Sequence, residues 1–284
     1  MDKKPKLLTS KRKTLVLEYV LMALDDLPDS IPVYPEIIAE SEGIKYKIND
    51  YNGDFSGLIE YLNGRFFIFL NSGNGETLQS PTLRYSFAHE LGHYLIDNHR
   101  TELMQEGILQ NVTMDPMLSD SVQEKEAEYF ASCLLMPEHQ YMKDIKGKPF
   151  SLELMMGISN KYKVSLTSAI LRYATLGQEP LFVICSRPTE IKWKYRSRNF
   201  PFHKLRLSDY GNLAEGTQAG NFHYLAIRNF IRPLQAPALL WFTSSRVDEL
   251  QRIFNEHCFN YHSNGEVISV IWEVKYGTSI SRKS

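Results

Sequence analysis

The 284-residue chain is poor in several features that would narrow its class at once. It has three cysteines, Cys133, Cys185 and Cys258, odd in number and far apart. That excludes a disulfide framework and a CxxC metal knuckle, and it suits a reducing compartment. No apolar run approaches the roughly 18–20 residues that span a bilayer. The nearest, "TLVLEYVLMAL", is interrupted by Glu18 and followed by Asp25 and Asp26. Lysines and arginines precede it, but no small-residue cleavage site follows, so a signal peptide is not expected. Charge of one sign is lacking too. The formal net charge is −1 and the pI about 6.7, so no global field recruits nucleic acid or anionic membrane. Internal repeats and low-complexity segments are absent. The expectation is a cytoplasmic protein with no membrane association. What is present is ordinary for a globular chain, 43% hydrophobic, 23% charged and 12% aromatic residues, and the length allows two modest domains.

Local patterns supply the elements. Residues 14–24 have helical spacing, with Leu15, Tyr19 and Met22 on one face. The basic arm before them, residues 3–13, reads as a solvated terminus. A helix starts with Pro35 at its first position and ends at Gly43. "IKYKIND" reads as a strand, and Asn63-Gly64 as a type I′ turn between strands at 57–62 and 65–70. Thr82 to Asp97 has the spacing of a helix. The polar connection at 98–121 is a candidate lid over a binding site. Ser121, with Glu124 three residues on, resembles a capping box for a helix that Pro137 stops. Ser151 and Ser165 cap two short helices, 152–162 and 166–176, which carry too few basic residues for a DNA-reading pair. Downstream of about residue 180, "LFVIC", "EIKWKYR", "ALLWFT" and "EVISVIWEVK" read as strands. "SRVDELQRIFNEHC" reads as a helix capped by Ser245 with Asp248 at its third position.

The chemistry concentrates at "FAHELGHYLID", residues 87–97. On a helix, residues four apart share a face, so His89 and His93 can present two imidazoles to one zinc ion. Glu90 between them is placed to act on a water as general base without being forced to ligate. A half-exposed helix carrying two histidines would show the same five residues, so a third ligand decides. His99 is six residues after His93, on a segment expected to have left the helix. The helix at 122–136 offers Glu124, Glu126 and Glu128. Its apolar face holds Ala127, Phe130, Ala131, Leu134 and Leu135. Glu126 borders that face, where an unpaired carboxylate is costly, so Glu126 is the expected third ligand. Asp97 is a candidate to hold one ligand imidazole from behind.

"SFAHELGH" followed some thirty residues on by "EKEAEYFASCLLMP" resembles the ImmA/IrrE family of cytoplasmic zinc metallopeptidases. The family pattern is an HExxH, then E-A-(N/D)-x-F-A-x-x-L-L-M-P. The resemblance covers about residues 32–180 and implies a zincin-like fold with one Zn²⁺ per chain. It implies His89, His93 and Glu126 as metal ligands and Glu90 as the catalytic base. Glu128 departs from the family's usual Asn or Asp. The best-understood relatives cleave helix-turn-helix repressors of mobile elements or stress regulons, so a DNA-binding repressor or antitoxin is the implied partner. Residues 181–284 lie outside the resemblance.

The expectation is therefore an α+β protein: an N-terminal arm and helix (1–30), a zincin-like domain with a mostly helical body and small antiparallel sheet (31–180), and a C-terminal α+β domain (181–284). The expected activity is a zinc-dependent endopeptidase of narrow specificity. Its alternative is a zinc-binding module that docks a transcription regulator without hydrolysis. "FFIFL" is expected to lend its edge to an extended substrate. Direct nucleic-acid binding is not expected, although Lys192, Lys194 and Arg196 alternate along one strand.

Overall fold

The structure is a computed structural model. It describes residues 8–106 apart from 26, 54 and 74, then 121–206 apart from 188 and 189, then 213, 216–225, 232–260 and 265–274. Two compact units are present, Met1–Arg172 and Tyr173–Ser284.

In the first unit, α1 (Ser10–Asp25) packs on a later helix through Val16 and Val20. α2 (Pro35–Ser41) leads into β1 (Lys45–Asn49). β2 (Gly57–Leu62) and β3 (Arg65–Asn71) form the hairpin, with positive φ at both Asn63 (50°) and Gly64 (80°) as a type I′ turn requires. The sheet order is β1-β3-β2, with β1 parallel and β2 antiparallel to β3. β3 is thus central, not an edge, because β1 covers the side that "FFIFL" was expected to offer. Among the described residues β2 has no strand partner on its other side.

α3 (Pro81–Leu95) carries the HELGH segment beneath this sheet and against α5 (Val122–Leu135). The candidate lid begins as a helix, α4 (Asp97–Glu106), and its remainder at 107–120 lies outside the described residues. α6 (Glu138–Ile145), α7 (Leu152–Tyr162) and α8 (Leu166–Leu176) follow. Ser151 and Ser165 cap as expected, accepting the Leu154 and Ser168 N–H at 3.1 and 3.0 Å.

In the second unit, β4 (Leu181–Arg187), β5 (Glu190–Arg196), β7 (Leu234–Pro237), β9 (Ile253–Asn260) and β10 (Val267–Glu273) form an antiparallel sheet ordered β5-β4-β10-β9-β7. β6 (Lys204–Leu205) pairs with β8 (Phe242–Thr243). With α9 (Gln218–Leu225) they enclose an aromatic core that includes Phe182, Phe200, Phe202, Phe242 and Phe254.

Two local expectations fail in this unit. "ALLWFT" splits into a 3-10 turn, Ala238–Leu240, and the two-residue β8. The expected helix from Ser245 reduces to one 3-10 turn, Glu249–Gln251, and "IFNEHC" is the strand β9. The reason is tertiary. β9 pairs on both sides, and alternation puts Phe254, Glu256 and Cys258 on the core face, which outweighs a local capping pattern.

Candidate metal centre

α3 is fixed before any ligand is considered. Ser80 caps it by accepting the Leu83 N–H at 3.1 Å, and Pro81 occupies its first position. Leu83, Phe87, Ala88 and Leu91 are buried along it. Gly92, the glycine of HELGH, sets its approach to α5. A Cβ there would lie 3.1 Å from Phe130 Cδ1 and 3.2 Å from the Ala127 Cα. That close crossing brings the first turn of α5 over the two histidines.

Three acceptor groups converge at the crossing. His89 Nε2 and His93 Nε2 are 3.1 Å apart. Glu124 places Oε2 at 3.2 Å from His89 Nε2 and Oε1 at 3.4 Å from His93 Nε2. Two donor atoms each about 2.0–2.1 Å from a tetrahedral zinc lie roughly 3.4 Å from one another, so the triangle is within a few tenths of an ångström of a zinc-binding set. Three lone-pair-bearing atoms held this close repel unless a proton or a cation lies between them. Among the described residues, His89, His93 and Glu124 are the one set of ligand-type groups close enough to hold an ion.

Glu126 is placed elsewhere. Two residues along a helix is a turn of about 200°, so Glu124 and Glu126 leave α5 on nearly opposite sides. Glu124 shares the side of Ala127, the side that meets Gly92. Glu126 is buried as expected, but its partners are His99 Nε2 at 3.0 Å and Arg12 Nη1 at 2.6 Å. The argument that a carboxylate beside an apolar face needs a partner was sound. It did not distinguish a metal site from an ion pair. His99, expected outside the helix, is on α4, fully buried, with its ring 5.2 Å from that of His93. Arg12 belongs to the arm read as solvated. Glu124 was expected to point toward solvent, yet it is 6% exposed.

The charges around this cluster follow from burial and proximity. Burial holds the His93 imidazole down at about 4, against the pull of the Glu124 hydrogen bond. Burial also opposes charge on His89, but the Glu124 hydrogen bond and the Glu90, Glu124 and Glu128 charges outweigh it and raise its pKa. Burial pushes the Glu124 carboxyl up, and the bonds with His89 and His93 more than reverse this, leaving it at about 2. Glu90 is pushed up to about 7 by burial, with His89 and an Ile59 backbone hydrogen bond working the other way. A carboxyl poised there can take and return a proton near neutral pH.

Asp97 does not reach a ligand imidazole. It pairs with Arg100 at 2.7 Å, and the Nδ1 atoms of His89 and His93 have no hydrogen-bond partner among the described residues. The basic stripe of β5 is largely committed. Lys192 lies 3.5 Å from Glu190, and Arg196 donates to the Ser197, Arg198 and Phe200 carbonyls. Among the described residues no helix is long and apolar enough to cross a membrane.

A helix carrying two imidazoles and a glutamate beneath a small sheet, faced by a glutamate from a second helix, defines a zincin-like, metallopeptidase-type domain. Residues 39–173 match the family model Peptidase_M78, the IrrE N-terminal-like domain. Among solved structures the chain is similar to a Mycobacterium tuberculosis transcriptional regulator. The TM-score is 0.57 at 12% identity, covering 93% of this chain and 78% of that one, a likeness of fold. No curated protein sequence matches.

Proposed function

We propose that the chain is a zinc-dependent endopeptidase of narrow specificity, with His89, His93 and Glu124 as the metal ligands and Glu90 as the general base. The observation that carries this reading is the triangle of His89 Nε2, His93 Nε2 and Glu124 carboxylate with edges of 3.1–3.4 Å. A zinc ion bound there supplies Lewis acidity, which acidifies a water and polarises a carbonyl. Glu90 would remove the proton of the attacking water and return it to the leaving amine. Burial of Glu90, Glu124 and His93 keeps bulk water from competing for these contacts.

The open edge of β2 is the part of the sheet that suits an extended peptide. Asn71 N–H donates to Ser56 O, and the two-residue turn closes on Leu62 and Arg65, so even-numbered residues of β2 bond to β3. Gly57, Ile59 and Tyr61 therefore turn their backbone groups to the free edge. A peptide added along that edge would lie beside Glu90. The substrate class follows the family resemblance: a DNA-binding repressor or antitoxin-type regulator. The fold shared with a transcriptional regulator is compatible with such a partner. The three cysteines, all buried and none in a disulfide, support a cytoplasmic location.

The test is zinc-loaded full-length protein incubated with a proteome-derived peptide library, beside Glu90→Gln loaded equally. New peptide termini with the wild type alone support the reading. No new termini from either protein, with zinc bound in both, favour the non-hydrolytic docking module.

A further inference from the structure

Gly57 has no backbone reason to be glycine. It lies inside β2, it is not among the residues with positive φ, and the pairing of β2 with β3 runs without a bulge from Gly57↔Leu70 to Leu62↔Arg65. Glycine within a strand is unfavourable unless something approaches closely. Here the approaching group is Glu90. A Cβ on Gly57 would lie 2.7 Å from Glu90 Oε1, 3.0 Å from Cγ and 3.3 Å from Cδ. These are the three nearest atoms, and all belong to one side chain. Gly92 differs, since its missing Cβ makes room for the backbone of α5.

We propose that the edge of β2 positions the general base: the bare Cα of Gly57 makes room for the Glu90 carboxyl. Gly57 is thus a positioning residue, acting through Glu90 by the side chain it lacks. This rests on the reading of Glu90 as the base, but the contact itself can be measured without metal. An alanine methyl at position 57 would displace the carboxyl. The strand would survive, because the obstructing atoms are the far end of a flexible side chain.

The experiment is a double-mutant cycle on the full chain with Gly57→Ala and Glu90→Ala, first by thermal unfolding of metal-free protein. Gly57→Ala should lower the melting temperature of the wild type by about 2–4 °C. In the Glu90→Ala background it should be neutral or raise it, since alanine suits a strand better than glycine. The same four proteins, loaded with zinc, are then titrated with acetohydroxamate, a small metal chelator whose N–H and hydroxyl can bond a neighbouring carboxylate. Each single variant should bind it about tenfold more weakly, the value of one charge-assisted hydrogen bond, and the double variant no more weakly than either. Zinc affinity should stay within about threefold in Gly57→Ala, because an outer-shell disturbance here leaves all three ligands in place. Equal melting losses in both backgrounds, or acetohydroxamate losses that add, would overturn the proposal. If Gly57→Ala fails to fold, rescue by Glu90→Ala supports it and failure of the double variant overturns it. Should wild type bind no zinc, the metal reading falls, while the melting cycle still decides the Gly57–Glu90 contact.

Discussion

Each unit buries a carboxylate almost completely, and the two are surrounded by different kinds of partner. In the second unit, Glu256 is 1% exposed and accepts hydrogen bonds from the Gln218 and Ala219 N–H groups and Trp241 Nε1, at 2.9, 3.0 and 3.0 Å. Cys258 Sγ adds a contact at 3.3 Å. All of these are donors, so the anion is satisfied by the fold alone. In the first unit, Glu124 faces two imidazole nitrogens that themselves converge. There two nitrogens crowd one carboxylate and each other, an arrangement that a shared proton or a cation completes. Burial pushes the Glu256 carboxyl up against its donors, whereas the histidines take Glu124 down to about 2. A buried carboxylate is thus no signature of a site. Partners that converge on one another as well as on the carboxylate are.

The largest effect that would sharpen this contrast is on stability. Glu256→Ala strands three buried donors around α9 and should cost about 3 kcal/mol, read by denaturant unfolding, with zinc content unchanged. If it costs nothing, Glu256 is not the structural anion described.

Glu90 offers the next. Its folded pKa of about 7 lies above the ordinary 4.5, so the folded state holds the extra proton between those values. The stability it contributes is present below about pH 4.5 and lost as pH rises through about 7. Glu90→Gln keeps a neutral side chain throughout. Metal-free Glu90→Gln should therefore gain on the order of 2–3 kcal/mol relative to wild type between about pH 5 and about pH 8. His93, depressed in both proteins, cancels in the difference. A pH-independent difference would contradict the buried, protonated Glu90.

The smallest effect concerns Glu126, which stands between the two cases. Arg12→Ala removes a half-exposed arginine but leaves His99, so the loss should be about 1 kcal/mol in thermal unfolding. Zinc affinity should fall by no more than about 100-fold, the upper end of the range for a residue outside the ligand set. A complete loss of zinc would mean that α1 is part of the metal centre.

Much of this was legible in the order of residues, where local geometry decides. The i, i+4 spacing places His89 and His93 together on any helix, and Asn63-Gly64 closes a hairpin because both residues tolerate positive φ. Ser151 and Ser165 cap where capping chemistry says they should. What was not legible depends on which side of an element meets which neighbour. α5 is buried on opposite sides, against α3 and against α1, so hydrophobic spacing could not choose between Glu124 and Glu126. The signal that could have chosen is Gly92: a glycine inside the HExxH helix marks the crossing, and Ala127, three residues past Glu124, is the small residue it meets. β9 was misread because Ser245 and Asp248 mimic a helix start, while the two strands that flank it are distant in sequence. Arg12 and His99 were missed for the same reason, since their shared partner Glu126 comes from a third element.

The central claim is that Glu124, and not Glu126, completes the metal site. Metal content by mass spectrometry on wild type, Glu124→Ala and Glu126→Ala, purified without chelators, tests it most directly. The account predicts about one zinc per chain in wild type and in Glu126→Ala, and loss in Glu124→Ala, since three protein ligands are what such a site needs. Zinc kept in Glu124→Ala and lost in Glu126→Ala would contradict it.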